Sequence, residues 1–388
     1  MIRHPKVALI FACYIDQDAQ VLHAISKYNS LNKRWTAFVD DQAFSKKTPD
    51  YVLSRQWDGV ISKEIAPELF EQCLERNIPC IDLSDYPQIT PGIPKIRPDN
   101  SAVGHMAAEY FIEKGYRNFA FCGYSNMPWS KEREKGFAEA LKLVGHEPEL
   151  FLNDHPKLAE AEWDKANVEE IQKWIDAIPK PLAVFSANDM RGLQVIEACS
   201  LKGIQVPEEV SILGVNNDTI RCELSNPQLS SIALNSEYYG QTAAKMIDEM
   251  MDGNLPEEIE LLIEPSEVIT RRSTDALCIE DPFVAAALHL IKNKACEGIT
   301  VDWVVKQVHI SRSGLERRFR KYLGKTPQVE IRDVQIHKIK QLLLETDYTL
   351  AHIASLTGFE HPEYMSVVFK KNTKLTLNQY RQKFRIER

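Results

Sequence analysis

LAVFSAND at 182–189 and VSILGVNND at 210–218 decide the fold of this chain. Each stretch is a short run of apolar and β-branched residues that ends in asparagine and aspartate, with a helical pattern beside it. Such runs predict buried parallel strands joined by helices. Similar runs occur at VALIFAC (7–13), WTAFVD (35–40), DGVI (58–61), PCIDL (79–83) and NFAFCG (118–123). We therefore expect an α/β fold with parallel sheets covered by helices on both faces.

A proline-rich stretch divides these runs into two sets. It contains Pro87, Pro91, Pro94 and Pro98, and we interpret it as a loop that joins two lobes with a cleft between them. In open α/β sheets, polar residues just beyond the carboxyl ends of strands face the ligand crevice. The residues that satisfy this rule are Asp16, Asp18, Asp82, Asn188, Asp189 and 216–218. Their carboxylates and amides suit a polyhydroxylated ligand, because each hydroxyl both donates and accepts hydrogen bonds.

Several candidate ligand residues also fit structural roles. Asp99 and Asn188 each precede a helical pattern and are typical helix N-caps. Trp129 lies in the stretch SNMPWSKER, where its ring either covers a sugar face or packs against the protein. Arg133, in the first turn of a helix, is either a ligand contact or a surface residue. The sequence leaves these alternatives open.

The composition excludes several classes of protein. The 388 residues are 44% hydrophobic and 26% charged, as in ordinary globular proteins. No apolar run approaches the roughly 18 residues that a membrane helix needs, and Asp16 follows the first apolar run closely. We expect a cytoplasmic protein with no membrane partner. The eight cysteines form no CxxC pair and no phosphate-binding glycine loop occurs, so we expect neither metal nor cofactor.

The charge is divided unevenly along the chain. The whole sequence carries 47 Lys+Arg and 55 Asp+Glu, a net charge of −8. Residues 276–388 hold 19 basic and 12 acidic residues, a net charge of +7, which leaves −15 for residues 1–275. This asymmetry is typical of a basic module attached to an acidic one. We therefore predict two domains, 1–275 and 276–388, of which the second is a candidate for binding nucleic acid.

The basic segment contains two short helix pairs. Apolar spacing predicts one pair at about 301–321 and the other at about 350–371, each with a short turn. This is the helix-turn-helix pattern, although either pair alone fits a plain helical hairpin equally well. Two pairs that are both basic on the second helix favour DNA, because a recognition helix enters the major groove and the flanking phosphates need cations.

Loose motifs recur along residues 6–270: Asp99 to Gly115, Arg117-Asn118, Glu132-Arg133-x-x-Gly136-Phe137, Ala187-Asn188-Asp189 and ILGVNN at 212–217. In this order and spacing they resemble the effector domain of the lac/gal repressor family, which is similar to periplasmic sugar-binding proteins. The resemblance implies that Arg133, Asn188 and Asn216 bind a sugar and that Asp99 lines the same cleft. The family usually has aspartate where this chain has Asn216, so a charged acceptor is missing. The candidate ligand-binding residues are Asp18, Asp99, Trp129, Arg133, Asn188, Asp189 and Asn216.

The C-terminal motifs are tighter: Ser311-x-x-x-Leu315-x-Arg317-x-Phe319, Gly324-x-Thr326-Pro327, Leu342-Leu343, Ile353-Ala354-x-x-x-Gly358-Phe359 and Phe369-Lys370-Lys371 with Tyr380-Arg381. They resemble the DNA-binding domain of the AraC/XylS family. Two features depart from that pattern: KLTL at 374–377 replaces the usual Gly-x-Ser/Thr-Pro, and Val367 stands where a polar or arginine base reader is common. We therefore expect the second recognition helix to read fewer bases than the first.

The family motif assigns candidate DNA contacts to both recognition helices. The candidates for base edges are Arg312, Ser313 and Arg317 on the first helix and His361, Glu363 and Ser366 on the second. Arginine bridges guanine O6 and N7, whereas Lys370 and Lys371 fit phosphates. Arg318 fits either a phosphate contact or a solvated surface.

Together the two resemblances imply a ligand-responsive regulator of transcription rather than an enzyme. From the resemblance we expect that a monosaccharide such as D-xylose closes the two lobes and repositions the C-terminal helices on double-stranded DNA. The resemblance also implies that this change activates genes of sugar uptake and catabolism. We expect a homodimer, and RNA polymerase is a further candidate partner. Two other functions stay open: a sugar-processing enzyme, and a purine-responsive regulator in which Phe11, Tyr14 or Trp129 stacks on the base.

Overall fold

The computed structural model describes residues 4–11, 16–32, 34–40, 54–63, 67–155, 161–256, 259–276 and 281–384. The chain divides into two units: residues up to Ala276 without Ile112–Tyr116, and Ile112–Tyr116 with the residues from Leu277 onward. Tyr14 and residues 277–280, which follow the predicted domain boundary, lie outside the described residues. No helix in the described ranges is long and apolar enough to cross a membrane.

The first unit has the predicted α/β architecture. Its strands are β1 (Lys6–Ile10), β2 (Thr36–Asp40), β3 (Gly59–Ser62), β4 (Cys80–Asp82), β5 (Lys95–Pro98), β6 (Asn118–Tyr124), β7 (Pro148–Asn153), β8 (Leu182–Ser186), β9 (Val210–Val215), β10 (Ser230–Ala233), β11 (Glu260–Ile263) and β12 (Glu267–Ile269). Its helices are α1 (Asp16–Asn32), α2 (Pro67–Glu75), α3 (Asn100–Glu113), α4 (Pro128–Leu143), α5 (Ala161–Ala177), α6 (Asp189–Lys202), α7 (Thr219–Leu224) and α8 (Ser236–Met251).

The strands form two six-stranded sheets, ordered β11-β5-β4-β3-β1-β2 and β12-β10-β9-β8-β6-β7. Among the described strands every pairing is parallel except that of β10 with β12. Each sheet has its own apolar core, with Val7, Ile61 and Ile247 in the first lobe and Val184 and Ile212 in the second. The described chain crosses between the lobes after β5, β10 and β11. The fold therefore presents two sheet edges to one cleft, as the sequence predicts.

The proline-rich stretch is not all loop, because it contains β5. Both basic side chains of this strand are buried: Lys95 Nζ lies 2.6 Å from Asp82 Oδ2, and Arg97 pairs with Glu132 and Glu260. Buried and paired cations make the strand look polar, which explains why the apolar pattern missed it. Asp82, which the strand-end rule placed beside the ligand, is engaged by Lys95.

From Pro282 onward the second unit is helical, as predicted. Its helices are α9 (Pro282–Lys294), α10 (Val301–Gln307), α11 (Arg312–Leu323), α12 (Pro327–Glu345), α13 (Leu350–Leu356), α14 (Pro362–Thr373) and α15 (Leu377–Phe384). The two helix-turn-helix pairs are α10–α11 and α13–α14. Leu315 and Phe319 of α11 enter one apolar core, and Met365 and Phe369 of α14 enter another.

Candidate ligand cleft and nucleic-acid interface

Three ionisable side chains lie together at the carboxyl edge of the first lobe. Lys63 follows β3 and Asp85 lies shortly after β4, with Lys63 Nζ 3.4 Å from Asp85 Oδ2. Asp18, in the first turn of α1, is buried, and burial raises its pKa while Lys63 opposes that rise. Lys63 Nζ also lies 5.5 Å from the centroid of the Tyr239 ring. The sequence prediction missed Lys63 and Asp85, although both follow strand ends and that signal was present.

Arg133 is the cation that the second lobe brings to the cleft. It is 2% exposed, and burial lowers its pKa to about 10 against the opposing effect of Asp85 and Asp189. Its Nε donates to Asn100 Oδ1 at 2.9 Å and its Nη1 to Ala187 O at 2.5 Å. Within the described residues Nη2 makes no hydrogen bond. One nitrogen of a buried guanidinium is thus available to a ligand.

Two glycines bring α3 and α4 close together beside Arg133. A Cβ at Gly104 would lie 2.2 Å from Arg133 O, and a Cβ at Gly136 would lie 2.2 Å from Ser101 O. Only glycine permits this approach. The crossing holds Asn100, at the start of α3, against the guanidinium. The sequence prediction missed Asn100, because its neighbour in sequence carried the expected capping role.

Asp189 supports the loop that follows β9. Its Oδ1 accepts from Ser231 Oγ at 2.5 Å, and its Oδ2 accepts from Asp218 N at 2.7 Å. Burial raises the pKa of Asp189 to about 7. Asn216 and Asn217 in the supported loop adopt positive φ angles of 101° and 50°. Both carboxylate oxygens are therefore engaged by the protein, and they fix the loop that carries Asn216.

Asp99 and Asn188 cap the helices that they precede. Asp99 Oδ1 accepts from Ala102 N at 2.8 Å, and Asn188 Oδ1 accepts from Arg191 N at 2.9 Å. Asp99 also borders an open groove beside α3 together with Glu264. Asp99 Oδ1 and Asn188 Oδ1 therefore act as helix caps. The Nδ2 group of Asn188 does not take part in the cap and remains a hydrogen-bond donor.

Trp129 lies beside Arg133 in the first turn of α4. The guanidinium carbon of Arg133 is 4.9 Å from the centroid of the Trp129 ring, and the ring meets Tyr124 edge-on with centroids 5.7 Å apart. The ring is partly exposed. The structure therefore brings together two residues that the sequence predicted separately.

Buried polar atoms without a protein partner occur at the carboxyl ends of both sheets. In the part of the chain that the structure describes, they include Gln17 Nε2, Asp18 Oδ1, Ser186 Oγ and Asn216 Oδ1. Gln17 and Asp18 lie in the first turn of α1, Ser186 ends β8 and Asn216 follows β9. Leaving such an atom unpaired costs about 1–3 kcal/mol, and hydroxyl groups have both the donors and the acceptors that these atoms lack.

The lobes touch on the side of these strand ends. Thr219 Oγ1, at the start of α7 in the second lobe, donates to Asp16 Oδ2 in the first lobe at 2.8 Å. The backbone N of Thr219 lies 3.4 Å from the same oxygen. This contact joins the two lobes directly.

The helix α11 presents polar and basic side chains to solvent. Arg312, Ser313 and Arg317 are all exposed. Arg312 pairs with Asp302 at 3.0 Å and with Glu316 at 3.1 Å, whereas Arg317 makes no hydrogen bond or ion pair to any described residue. Of the two exposed arginines predicted as base readers, Arg317 is therefore the one whose guanidinium is not engaged by the described part of the protein.

Arg318 is placed differently from the other predicted DNA contacts. It donates to Asp281, the N-cap of α9, and its guanidinium carbon lies 5.1 Å from the Phe283 ring. The side chain is about one-third exposed. Its charge joins α11 to α9 inside the second unit instead of standing free on the surface.

The predicted contacts on α14 are mostly exposed. His361, Glu363, Lys370 and Lys371 all face solvent. Ser366 is half-buried, and its Oγ donates to Pro362 O of its own helix at 2.8 Å. The hydroxyl of Ser366 is therefore turned back toward the helix.

Known protein families match two parts of the chain. Residues 108–274 match a periplasmic binding protein-like domain, and residues 304–383 match a helix-turn-helix domain. The first match lies in the two-lobed unit, and the second includes both helix pairs from within α10 onward.

Nearly the whole chain is similar to xylose operon regulatory proteins. The protein of this name from Haemophilus influenzae is 32% identical over 386 residues, which are 97% of this chain and 98% of that protein. The one from Escherichia coli K12 is 28% identical over 388 residues, covering 98% of this chain and 97% of the relative. The solved structure of a xylose-binding transcription activator is 27% identical, with a TM-score of 0.60 and coverage of 99% of this chain and all of that one.

Proposed function

Because this chain belongs to the family of the xylose operon regulatory proteins, we propose that D-xylose binds in the cleft of its first unit and thereby switches its action on DNA. The protein is a sugar-responsive, DNA-binding regulator of transcription. These relatives favour neither a sugar-processing enzyme nor a purine sensor. The sign of the switch that we propose is activation, as in the related xylose-binding activator.

One observation carries the sugar proposal: Arg133 is almost fully buried in the cleft, yet its Nη2 has no partner in the described chain. A buried cation is stable only when its donors are satisfied. A sugar hydroxyl accepts from Nη2 and donates its own proton onward, which suits the neutral pentose better than an apolar ligand.

The remaining contacts follow from the chemistry of the other strand ends. Asp18 Oδ1 in the first lobe and Asn216 Oδ1 in the second lobe each accept a hydrogen bond from a hydroxyl group of the sugar. The Nδ2 group of Asn188 donates, and the Trp129 ring covers the C–H face of the sugar. Asp189 contributes through the loop that it supports.

We propose that the sugar acts by stabilising the lobes in contact. A ligand that touches Asp18 in one lobe and Arg133 in the other binds the closed arrangement better than an open one. Such a difference in affinity is the only means by which it can shift the equilibrium. The hydrogen bond between Asp16 and Thr219 then forms in the same state.

On DNA, we propose that Arg317 reads a guanine, with Arg312 and Ser313 beside it. In the second recognition helix, the base readers are His361, Glu363 and Ser366. Lys370 and Lys371 bind phosphates. Arg318 supports the first helix pair through Asp281. These roles place base reading on the outer faces of α11 and α14.

Two copies of the chain form the working unit in this proposal. Ile220 and Leu224 lie one turn apart on α7 and are 68% and 81% exposed. Neighbouring exposed apolar side chains mark interaction sites, and a second copy would cover both. Sedimentation should show a dimer that I220E/L224E converts to a monomer and that L143E, at an 86% exposed site, leaves intact. A dimer unchanged by the double variant contradicts this surface.

In this proposal the protein does not convert the sugar that it binds. It acts on DNA in the cytoplasm, and RNA polymerase is its partner in activating transcription. Xylose recovered intact after prolonged incubation supports the first point. Conversion of the sugar would instead make the protein an enzyme.

A thermal-shift screen of pentoses, hexoses and purines tests the sugar assignment. A ligand at 100 times its Kd stabilises the folded state by about 2.7 kcal/mol, so D-xylose should raise the melting temperature by several degrees. Arg133→Lys should lose the shift, whereas Lys135→Ala, on the exposed side of the same helix, should keep it. A shift with purines alone, or an undiminished xylose shift in Arg133→Lys, would refute the proposed site.

A further inference from the structure

The two recognition helices are equivalent in register. Each has 12 residues. The helix α11 lies between the N-cap Ser311 and the C-cap Gly324, and α14 lies between His361 and the C-cap Lys374; both C-cap residues adopt left-handed backbone angles. The sixth residue after each N-cap is therefore the same position in the two helices. It is Arg317 in the first and Val367 in the second.

Val367 lies on the outer face of α14. It is 65% exposed, whereas Met365 and Phe369 on the opposite face are fully buried. Lys370 and Lys371, about one turn further along the helix, are exposed as well. Val367 thus shares the exposed face of α14 with the two lysines that we propose as phosphate contacts.

Tyr364 makes this face more apolar and more rigid. It precedes Val367 by three positions, so the two side chains are neighbours on the helix surface. Tyr364 is 54% exposed, its hydroxyl accepts from Arg332 Nη2 at 3.2 Å, and its ring centroid lies 6.1 Å from that of Phe359. The Val367 side chain is stiff in turn, because β-branched residues have one preferred χ1 rotamer in a helix.

An isopropyl group can read only one feature of the major groove. It has no donor or acceptor for guanine, adenine or cytosine, whereas thymine presents a C5 methyl group there. We propose that Val367 reads the methyl group of a thymine, at the position where Arg317 of the first helix reads guanine. This specificity rests on the proposed DNA-reading role of the second helix pair.

Site selection from a randomised duplex pool tests the proposal with the full chain. The wild type should select a thymine that Val367→Ala no longer selects, while a guanine that depends on Arg317 persists. Ala favours the helix more than Val does, and the position is exposed, so the variant keeps its fold. Val329→Ala, at a 44% exposed valine on α12, is the matched control and should select the wild-type site.

Deoxyuridine then isolates the methyl group. Replacing the selected thymine by deoxyuridine should weaken wild-type binding about fourfold, the factor that corresponds to burial of one methyl group, and should not affect Val367→Ala. An equal loss in both proteins, or a thymine that Val367→Ala still selects, overturns the proposal. A wild type that selects a guanine through Arg317 but no thymine through Val367 overturns this inference alone. A wild type that selects no sequence overturns the proposed function with it.

Discussion

At the scale of single residues, Asp189 shows how burial makes a supporting carboxylate sensitive to pH. Neutral donors hold both oxygens, the hydroxyl of Ser231 and the amide of Asp218, and burial raises the pKa to about 7 from the ordinary 3.8. The folded state therefore binds a proton that the unfolded state has already released. Its stability falls as pH rises from about 4 to about 7 and is level above that.

Asp189→Asn should remove this dependence, because the amide does not titrate. The melting temperature of the wild type relative to the variant should be highest near pH 4 and should decline toward pH 7. The corresponding change in the free energy of unfolding is at most a few kcal/mol. Melting followed by tryptophan fluorescence at several pH values measures it. Parallel curves for the two proteins would contradict the assigned cause.

The strand-end rule predicts which polar residues follow the strands but not their roles. It named Asp18, Asn188, Asp189 and Asn216, all of which the structure places at carboxyl ends of strands. It could not separate a cap from a ligand contact, because both need a polar side chain before a helix. Their hydrogen-bond partners lie far away in sequence, as Ser231 does from Asp189, so only the fold assigns them.

At the scale of elements, the sequence predicted seven strands from their continuous apolar runs and missed five of the described strands: β5, β7, β10, β11 and β12. β8 and β9 are buried from end to end, and their apolar runs alone were sufficient to predict them. β5 is equally buried, but its cations are neutralised by residues on other elements. The edge strand β7 has exposed residues, so it lacks the continuous apolar run that the prediction used.

Gly136→Ala tests how the crossing of α3 and α4 positions Arg133. The new Cβ would lie 2.2 Å from Ser101 O, so the helices must separate and carry Asn100 away from the guanidinium. We expect the folded state to lose about 1–3 kcal/mol of stability, as is typical of overpacking, so that the melting temperature falls. We also expect that D-xylose no longer raises the melting temperature.

Lys135→Ala, one residue earlier and exposed, is the control for this substitution and should change neither quantity. Gly136→Ala with a lower melting temperature but an unchanged xylose shift would mean that the crossing stabilises the lobe without setting the position of Arg133.

At the scale of the whole molecule, the net charge of −8 describes neither unit, because −15 belongs to residues 1–275 and +7 to residues 276–388. The acidic part is repelled by phosphates, which leaves the basic helices to meet the DNA. Within these helices the charges are further divided. Arg318 is engaged with Asp281, whereas Lys370 and Lys371 are exposed, so the net charge alone does not identify the basic residues that are available to phosphates.

Lys370→Ala should reveal one such phosphate contact through the salt dependence of binding. Each phosphate neutralised contributes about 0.9 to the slope of log affinity against log salt, so the variant should bind every sequence more weakly and lose about one unit of slope. Fluorescence anisotropy on a selected and a scrambled duplex, at several salt concentrations, measures both effects. Lys135→Ala, in the acidic unit, should leave the slope unchanged. A Lys370→Ala variant that keeps the wild-type slope but loses discrimination between the two duplexes would make Lys370 a base reader, and the phosphate assignment would then be wrong.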